Sequence, residues 1–128
     1  MADDASDLVL RFCEAFGKGA SPSELVDYFA DDAVYHNMPV EPAVGREAIL
    51  GLLNMFVTPA ERVEFQVRNI VARGNTVLTE RVDVFQLPNA TINLPVMGTF
   101  EVSDGKIVAW RDYFDLNQYM SQLQGAGA

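Results

Sequence analysis

Two short stretches hold carboxylates and an arginine at spacings that let them act together. In Glu80-Arg81-Val82-Asp83, Arg81 and Asp83 are two residues apart. On a strand such residues project to one face, about 7 Å from each other. In Trp110-Arg111-Asp112-Tyr113-Phe114-Asp115, an extended chain groups Asp112 with Val108, Trp110 and Phe114. A carboxylate among aromatic side chains is paired or employed in chemistry, because an unpaired buried charge is costly. The forked guanidinium of Arg81 has donors enough for both Asp83 and Asp112. Two carboxyl groups at slightly different burial titrate apart, so one can serve as acid and the other as base. The bland alternative is a structural ion-pair network, and exposed pairs of that kind contribute little. The aromatic neighbours Phe85, Trp110 and Phe114 favour a desolvated cluster. Tyr35 and Asn37 form a second polar pair, a hydroxyl and an amide that can each hold a water molecule.

The elements around these residues follow from periodicity and punctuation. Leu8, Val9, Phe12 and Phe16 are spaced for a helix over residues 4–16, which Gly17-Lys18-Gly19 ends. A second helix opens at Ser21 with Pro22 at its first position and Glu24 completing a capping box. Its apolar face is Leu25, Val26 and Phe29, and Asp31-Asp32 closes it. A short strand runs from Val34 to Met38, a loop spans Glu41 to Gly45, and Arg46–Phe56 returns to a helical pattern. Alternation then predicts strands over 63–68, with a bulge near Asn69-Ile70-Val71, over 76–87, over 94–102 with a break or edge at Pro95, and over 106–114. Asp115 caps a terminal helix, and residues 124–128 read as frayed. Early helices followed by successive strands predict an α+β fold: a curved, mostly antiparallel sheet with N-terminal helices packed on its concave face, forming a cone with a deep apolar pocket.

The 128 residues are read as a single domain over 1–128. A net charge of −9 argues against nucleic acid and anionic membrane as partners, which need a basic face. Cys13 stands alone, without a disulfide partner or metal-ligand spacing, and is read as a small buried residue. The acidic start of the sequence lacks the pattern of a secretory signal, and no apolar run approaches the roughly 20 residues of a membrane span. A cytoplasmic location is the expectation.

The segments Tyr35-His36-Asn37-Met38-Pro39, Glu80-Arg81-Val82-Asp83-Val84 and Trp110-Arg111-Asp112-Tyr113-Phe114-Asp115-Leu116, with Gly45-Arg46 and Gly105-Lys106-Ile107 in order between them, closely resemble the limonene-1,2-epoxide hydrolase family. The resemblance runs from about Val34 to the terminal helix. It implies a cone of the nuclear-transport-factor-2-like and ketosteroid-isomerase-like kind, a homodimer, and hydration of a small lipophilic epoxide to a vicinal diol without a cofactor. Carried over by position, Asp112 is the base that takes a proton from water, Tyr35 and Asn37 also hold that water, Asp83 is the acid that protonates the epoxide oxygen, and Arg81 bridges the two aspartates. Water attacks directly, with no covalent intermediate.

Candidate pocket walls are Met38, Leu53, Met55, Phe56, Phe85, Leu94, Val96, Met97, Trp110 and Phe114; apolar walls suit a small lipophilic epoxide. His36 alternates away from Tyr35 and Asn37, and one histidine without further ligands is no metal site. Arg111 and Tyr113 alternate away from Asp112, toward the opposite sheet face or a subunit interface. Two other functions use the same fold: an isomerase or polyketide cyclase working beside a carbonyl, and a non-catalytic module that binds an apolar ligand.

Overall fold

The computed structural model describes residues 4–126. Four helices, α1 (Ala5–Gly17), α2 (Pro22–Val26), α3 (Arg46–Val57) and α4 (Leu116–Ala126), accompany six strands. The strands are β1 (Phe29–Asn37), β2 (Ala43–Val44), β3 (Arg62–Arg73), β4 (Thr76–Leu87), β5 (Ala90–Ser103) and β6 (Lys106–Tyr113). They form one sheet in the order β2-β1-β6-β5-β4-β3, in which only the β1–β6 pair is parallel. The architecture is the α+β, mostly antiparallel one that the strand pattern predicts. Residues 127 and 128, part of the stretch read as frayed, lie outside the described residues.

Local chemistry accounts for the helix ends. Asp4 caps α1 by accepting from the Asp7 N–H at 3.0 Å, and the chain leaves that helix through Gly19 at φ 82°. Ser21 and Glu24 make the reciprocal capping box of α2, at 3.2 and 2.8 Å. The apolar stripe of α1, Leu8, Val9, Phe12 and Phe16, is buried against the sheet, where the helix packs on β3.

The second helix is shorter than its apolar stripe suggests. It ends at Val26, and Phe29 already belongs to β1. Asp31 and Asp32, expected to close a helix, are exposed strand residues. They lie where the pairing of β1 with β6 breaks register between Phe29 and Val34, so five residues of β1 advance while β6 advances two. The aspartates mark this arch rather than a helix end.

Two bulges shape the rest of the sheet. In β3 the extra residue is Arg68, between Val67 opposite Arg81 and Asn69 opposite Glu80, one position before the expected irregularity. In β6 it is Val108, because Glu101 faces Ala109 while Val102 faces Ile107. Ile107 therefore takes the inner position, fully buried, and Val108 does not share the face of Trp110 as simple alternation predicts. Pro95 sits in the half of β5 that pairs with β4 but lies beyond the end of β6, whose ladder begins at Met97 opposite Tyr113. α4 covers this free edge. The Gln122 side chain accepts from Asn93 N at 2.8 Å and donates to Asn93 O at 2.8 Å, acting as a substitute for a missing strand.

Candidate active site

The inner face of β4 carries Thr79, Arg81, Asp83 and Phe85 in strict alternation. The neighbouring strands bring the other polar groups to it. Gly98 of β5 pairs with Thr79 on one side and Asp112 of β6 on the other. Asn37 of β1 lies beside Asp112, and Tyr35 beside Trp110. Sequence positions 35 to 112 thus converge through strand register, a link that no local pattern reveals.

Arg81 lies at the centre, its side chain fully buried. All five of its N–H donors are used. Nε and Nη2 donate to Oδ1 and Oδ2 of Asp83 at 2.9 and 2.8 Å. Nη1 and Nη2 donate to Oδ1 and Oδ2 of Asp112 at 3.1 and 2.7 Å. The fifth bond runs from Nη1 to Oγ1 of Thr79 at 3.1 Å, and that hydroxyl donates onward to the Gly98 carbonyl at 3.3 Å. Phe65 covers the guanidinium face, its ring centroid 4.7 Å from Cζ. Among the described residues, no buried side-chain polar atom lacks a partner.

The electrostatics follow from one cation between two anions. With both carboxylates ionised the buried cluster carries a net negative charge, and a single proton makes it neutral. Burial pushes the Asp83 carboxyl up to about 6, against the pull of Arg81. Burial works against the charge of Arg81 too, but Asp112 and Asp83 more than offset it, and the guanidinium stays charged. Tyr35 is raised well above its ordinary value by burial and by the nearby Asp112, so its hydroxyl keeps its proton.

Above the cluster is a cavity of about 190 Å³, with Tyr35, Asn37, Asp83 and Asp112 in its lining. Arg81 is not in that lining; it lies beneath the two carboxylates. The walls are apolar: Leu52, Met55 and Phe56 from α3, Phe65, Phe85, Leu94 and Val96 from the sheet, with Val40, Phe114 and Tyr119 from the connecting segments and α4.

Of the residues expected in the walls, Met55, Phe56, Phe85, Leu94, Val96 and Phe114 line the cavity. Four others lie elsewhere. Leu53 is fully buried in the core and is not part of the cavity lining. Met38 is partly buried, and its N–H donates to the Asp112 carbonyl at 2.9 Å. Met97 alternates with the inward Val96 and Gly98, so it faces outward, 50% exposed. Trp110 is wholly buried, and its indole Nε1–H donates to Oδ1 of Asp112 at 2.6 Å.

Thr79, Gly98, Val40, Leu52, Phe65 and Tyr119 also belong to the site, outside the residues that the sequence pattern singles out. Thr79 was within reach, since it shares a strand face with Arg81 and Asp83. Gly98 carried a signal as well: a glycine inside a strand marks a close approach. A Cβ there would collide with Arg81 Nη1 and Asp112 Oδ1.

The remaining polar candidates have structural positions. Arg111 pairs with Glu101 at 2.7 Å, and Tyr113 is half exposed. Asp115 Oδ1 accepts from the N–H of Asn117 and Gln118 at the start of α4, at 2.9 and 3.3 Å. His36 Nε2 meets the Val40 carbonyl at 2.9 Å. Cys13 is buried on α1, its thiol pushed up to about 12 by that burial.

A curved sheet with helices over one face and an acid–arginine–acid cluster below an apolar cavity defines a class within the nuclear-transport-factor-2-like and ketosteroid-isomerase-like fold. The family model described as limonene-1,2-epoxide hydrolase catalytic domain matches residues 6–125. The chain belongs to the limonene-1,2-epoxide hydrolase family. It is 40% identical over 98 residues to epoxide hydrolase EphG of Mycobacterium tuberculosis (strain ATCC 25618 / H37Rv), a match covering 74% of this chain. That match spans 64% of the relative, less than two thirds of its length. Among solved structures, an LEH-like epoxide hydrolase of M. tuberculosis is similar at a TM-score of 0.78 and 32% identity, over 97% of this chain and 92% of that one. A protein with a ketosteroid isomerase-like fold from Catenulispora acidiphila DSM 44928 shares the fold at a TM-score of 0.80 and 23% identity, over 91% of each chain.

Proposed function

We propose that this chain is an epoxide hydrolase that adds water to a small lipophilic epoxide in one push–pull step. The observation that carries the reading is the double bridge of Arg81 to Asp83 and Asp112 at the base of an apolar cavity. Epoxide carbons are weak electrophiles, so opening the ring near neutral pH needs a base on water and an acid on oxygen together. Asp112 takes a proton from water as that oxygen attacks one ring carbon. Tyr35, a neutral hydroxyl, and Asn37 orient the water. The carbon–oxygen bond breaks, and Asp83 gives its proton to the leaving oxygen. The product is a vicinal diol, and one proton must return from Asp112 to Asp83 before the next turnover. Arg81 holds both carboxyl groups in place and neutralises the second charge.

An isomerase or cyclase acting beside a carbonyl uses one base, and the second carboxyl held by Arg81 has no task in that scheme. The apolar walls supply the reason for a lipophilic substrate. A homodimer belongs to the same proposal, supported by exposed Met97 and Tyr113, which are paired neighbours on the outer sheet face.

The test is incubation with terpene, cyclic and styrene-type epoxides, followed by a single turnover in oxygen-18 water. Diol labelled on the first cycle is the expected result. Absence of diol from every epoxide would overturn the activity, and unlabelled first-cycle diol would replace direct attack by an acyl-enzyme route.

A further inference from the structure

Asp83 and Asp112 are equally buried, each 3% exposed. Arg81 gives two N–H bonds to each of them. Neither burial nor the arginine therefore decides which carboxyl carries the shared proton. One donor breaks the symmetry. The Trp110 indole donates to Asp112 at 2.6 Å, and among the described side chains Asp83 has no hydrogen-bond donor beyond Arg81. The indole is held firmly: Tyr35 stacks on it at 3.9 Å and 3°, Phe100 at 5.2 Å and 17°, and Phe12 meets it edge-on at 5.1 Å. An N–H aimed at a carboxylate favours the charged form over the neutral acid.

We propose that Trp110 is a positioning residue whose indole N–H directs the proton of the buried pair to Asp83 and leaves Asp112 to act as base. The catalytic consequence rests on the hydrolase reading; the proton's location does not. Among the described residues, the titratable groups that face the pair are Arg81 on β4, Tyr35 on β1 and Cys13 on α1, with Tyr119 of α4 in the lining of the same cavity. Burial raises the hydroxyl of Tyr35 and the thiol of Cys13, the latter to about 12, so both stay neutral near pH 7, and Arg81 stays charged.

Trp110 is the one tryptophan of the sequence. Expression in a tryptophan auxotroph fed 3-benzothienylalanine therefore replaces this indole alone, exchanging N–H for sulfur while keeping the bicyclic shape. The expected result is a kcat lower by roughly twofold with KM little changed, because the two otherwise equivalent carboxyls then share the proton about equally. The low-pH limb of kcat/KM, set by the second proton that goes to Asp112, should move upward by roughly one unit, while the high-pH limb, across which Asp112 stays ionised, should move by no more than about 0.3 unit. An unchanged rate and low-pH limb would overturn the proposal; a lower rate with an unmoved low-pH limb would reduce Trp110 to packing and overturn it equally.

A second measurement needs no activity. In the natural protein the indole N–H nuclear magnetic resonance should hold constant while the Asp83 carboxyl carbon signal reports uptake of the first proton. An indole signal that moves with that transition would place the proton on Asp112 and defeat the proposal. A constant signal in a protein that opens no epoxide supports the proton assignment while the hydrolase reading fails.

Discussion

At the floor of the cavity every donor of Arg81 is committed, and Gly98 leaves no room for even one more carbon. The walls follow a different rule. Phe56 meets Phe85 edge-on at 5.7 Å, Phe85 meets Tyr119 edge-on at 6.3 Å, and Met55 on α3 is 73% exposed. The floor is fixed by directional bonds, in which one displaced atom disturbs several partners at once. The walls are fixed by apolar contact, which tolerates exchange of shape at constant volume. The division separates chemistry from selection: bond making is assigned to the rigid part, and discrimination among substrates to the adaptable part.

The sharpest way to break this contrast is to change one floor atom. Asp112→Asn keeps the shape of the side chain and an acceptor oxygen for Arg81 but removes the base. Diol formation should fall by about 10²–10⁴-fold, the span for loss of general acid–base catalysis. Near-ultraviolet circular dichroism should remain native. Asp83→Asn should do the same, and near-full activity in either variant would end the assigned roles.

The next largest effect compares two glycines. Gly98→Ala puts a methyl group into the space of Arg81 Nη1 and Asp112 Oδ1. Overpacking at such a site costs about 1–3 kcal/mol of stability, and activity should drop with it, since the guanidinium must shift. Gly51→Ala is the control on α3, where a Cβ meets nothing within 4 Å. There the same change should stabilise the helix by up to about 1 kcal/mol and leave turnover intact. Chemical denaturation of both variants, read beside their rates, checks the pair. Equal effects would erase the distinction between floor and wall.

The floor was readable in sequence to the extent that period two held. β4 has no bulge, so Arg81, Asp83 and Phe85 fall on one face as alternation predicts. Asp112 and Trp110 lie after the β6 bulge and keep their parity, whereas Val108 lies within it and was grouped on the wrong face. Met97 fails the same rule in reverse: its place between Val96 and Gly98 already put it outside. What sequence could not supply was register across strands. That Thr79, Gly98 and Asp112 form one row depends on β4, β5 and β6 sliding to one particular pairing. The contact of the Trp110 indole with Asp112 needs a side-chain rotamer as well. Asp31 and Asp32 misled because acidic residues punctuate arches in strands as well as helix ends.

The smallest expected effect belongs to the wall and tests the contrast from its permissive side. Phe56 touches the cavity and contacts Phe85 by ring edge, without a polar partner of its own. Phe56→Leu should enlarge the cavity beside the floor while leaving the bonds of Arg81 untouched. A bulkier epoxide then gains room, and a compact one loses contact. The ratio of kcat/KM between the two should shift by about tenfold, the low end of what one methylene is worth in a pocket. The pH profile should not move, because no group that exchanges a proton is touched. A change in that profile would mean that wall packing sets the position of the carboxyl pair, and selection and chemistry would then share the same atoms.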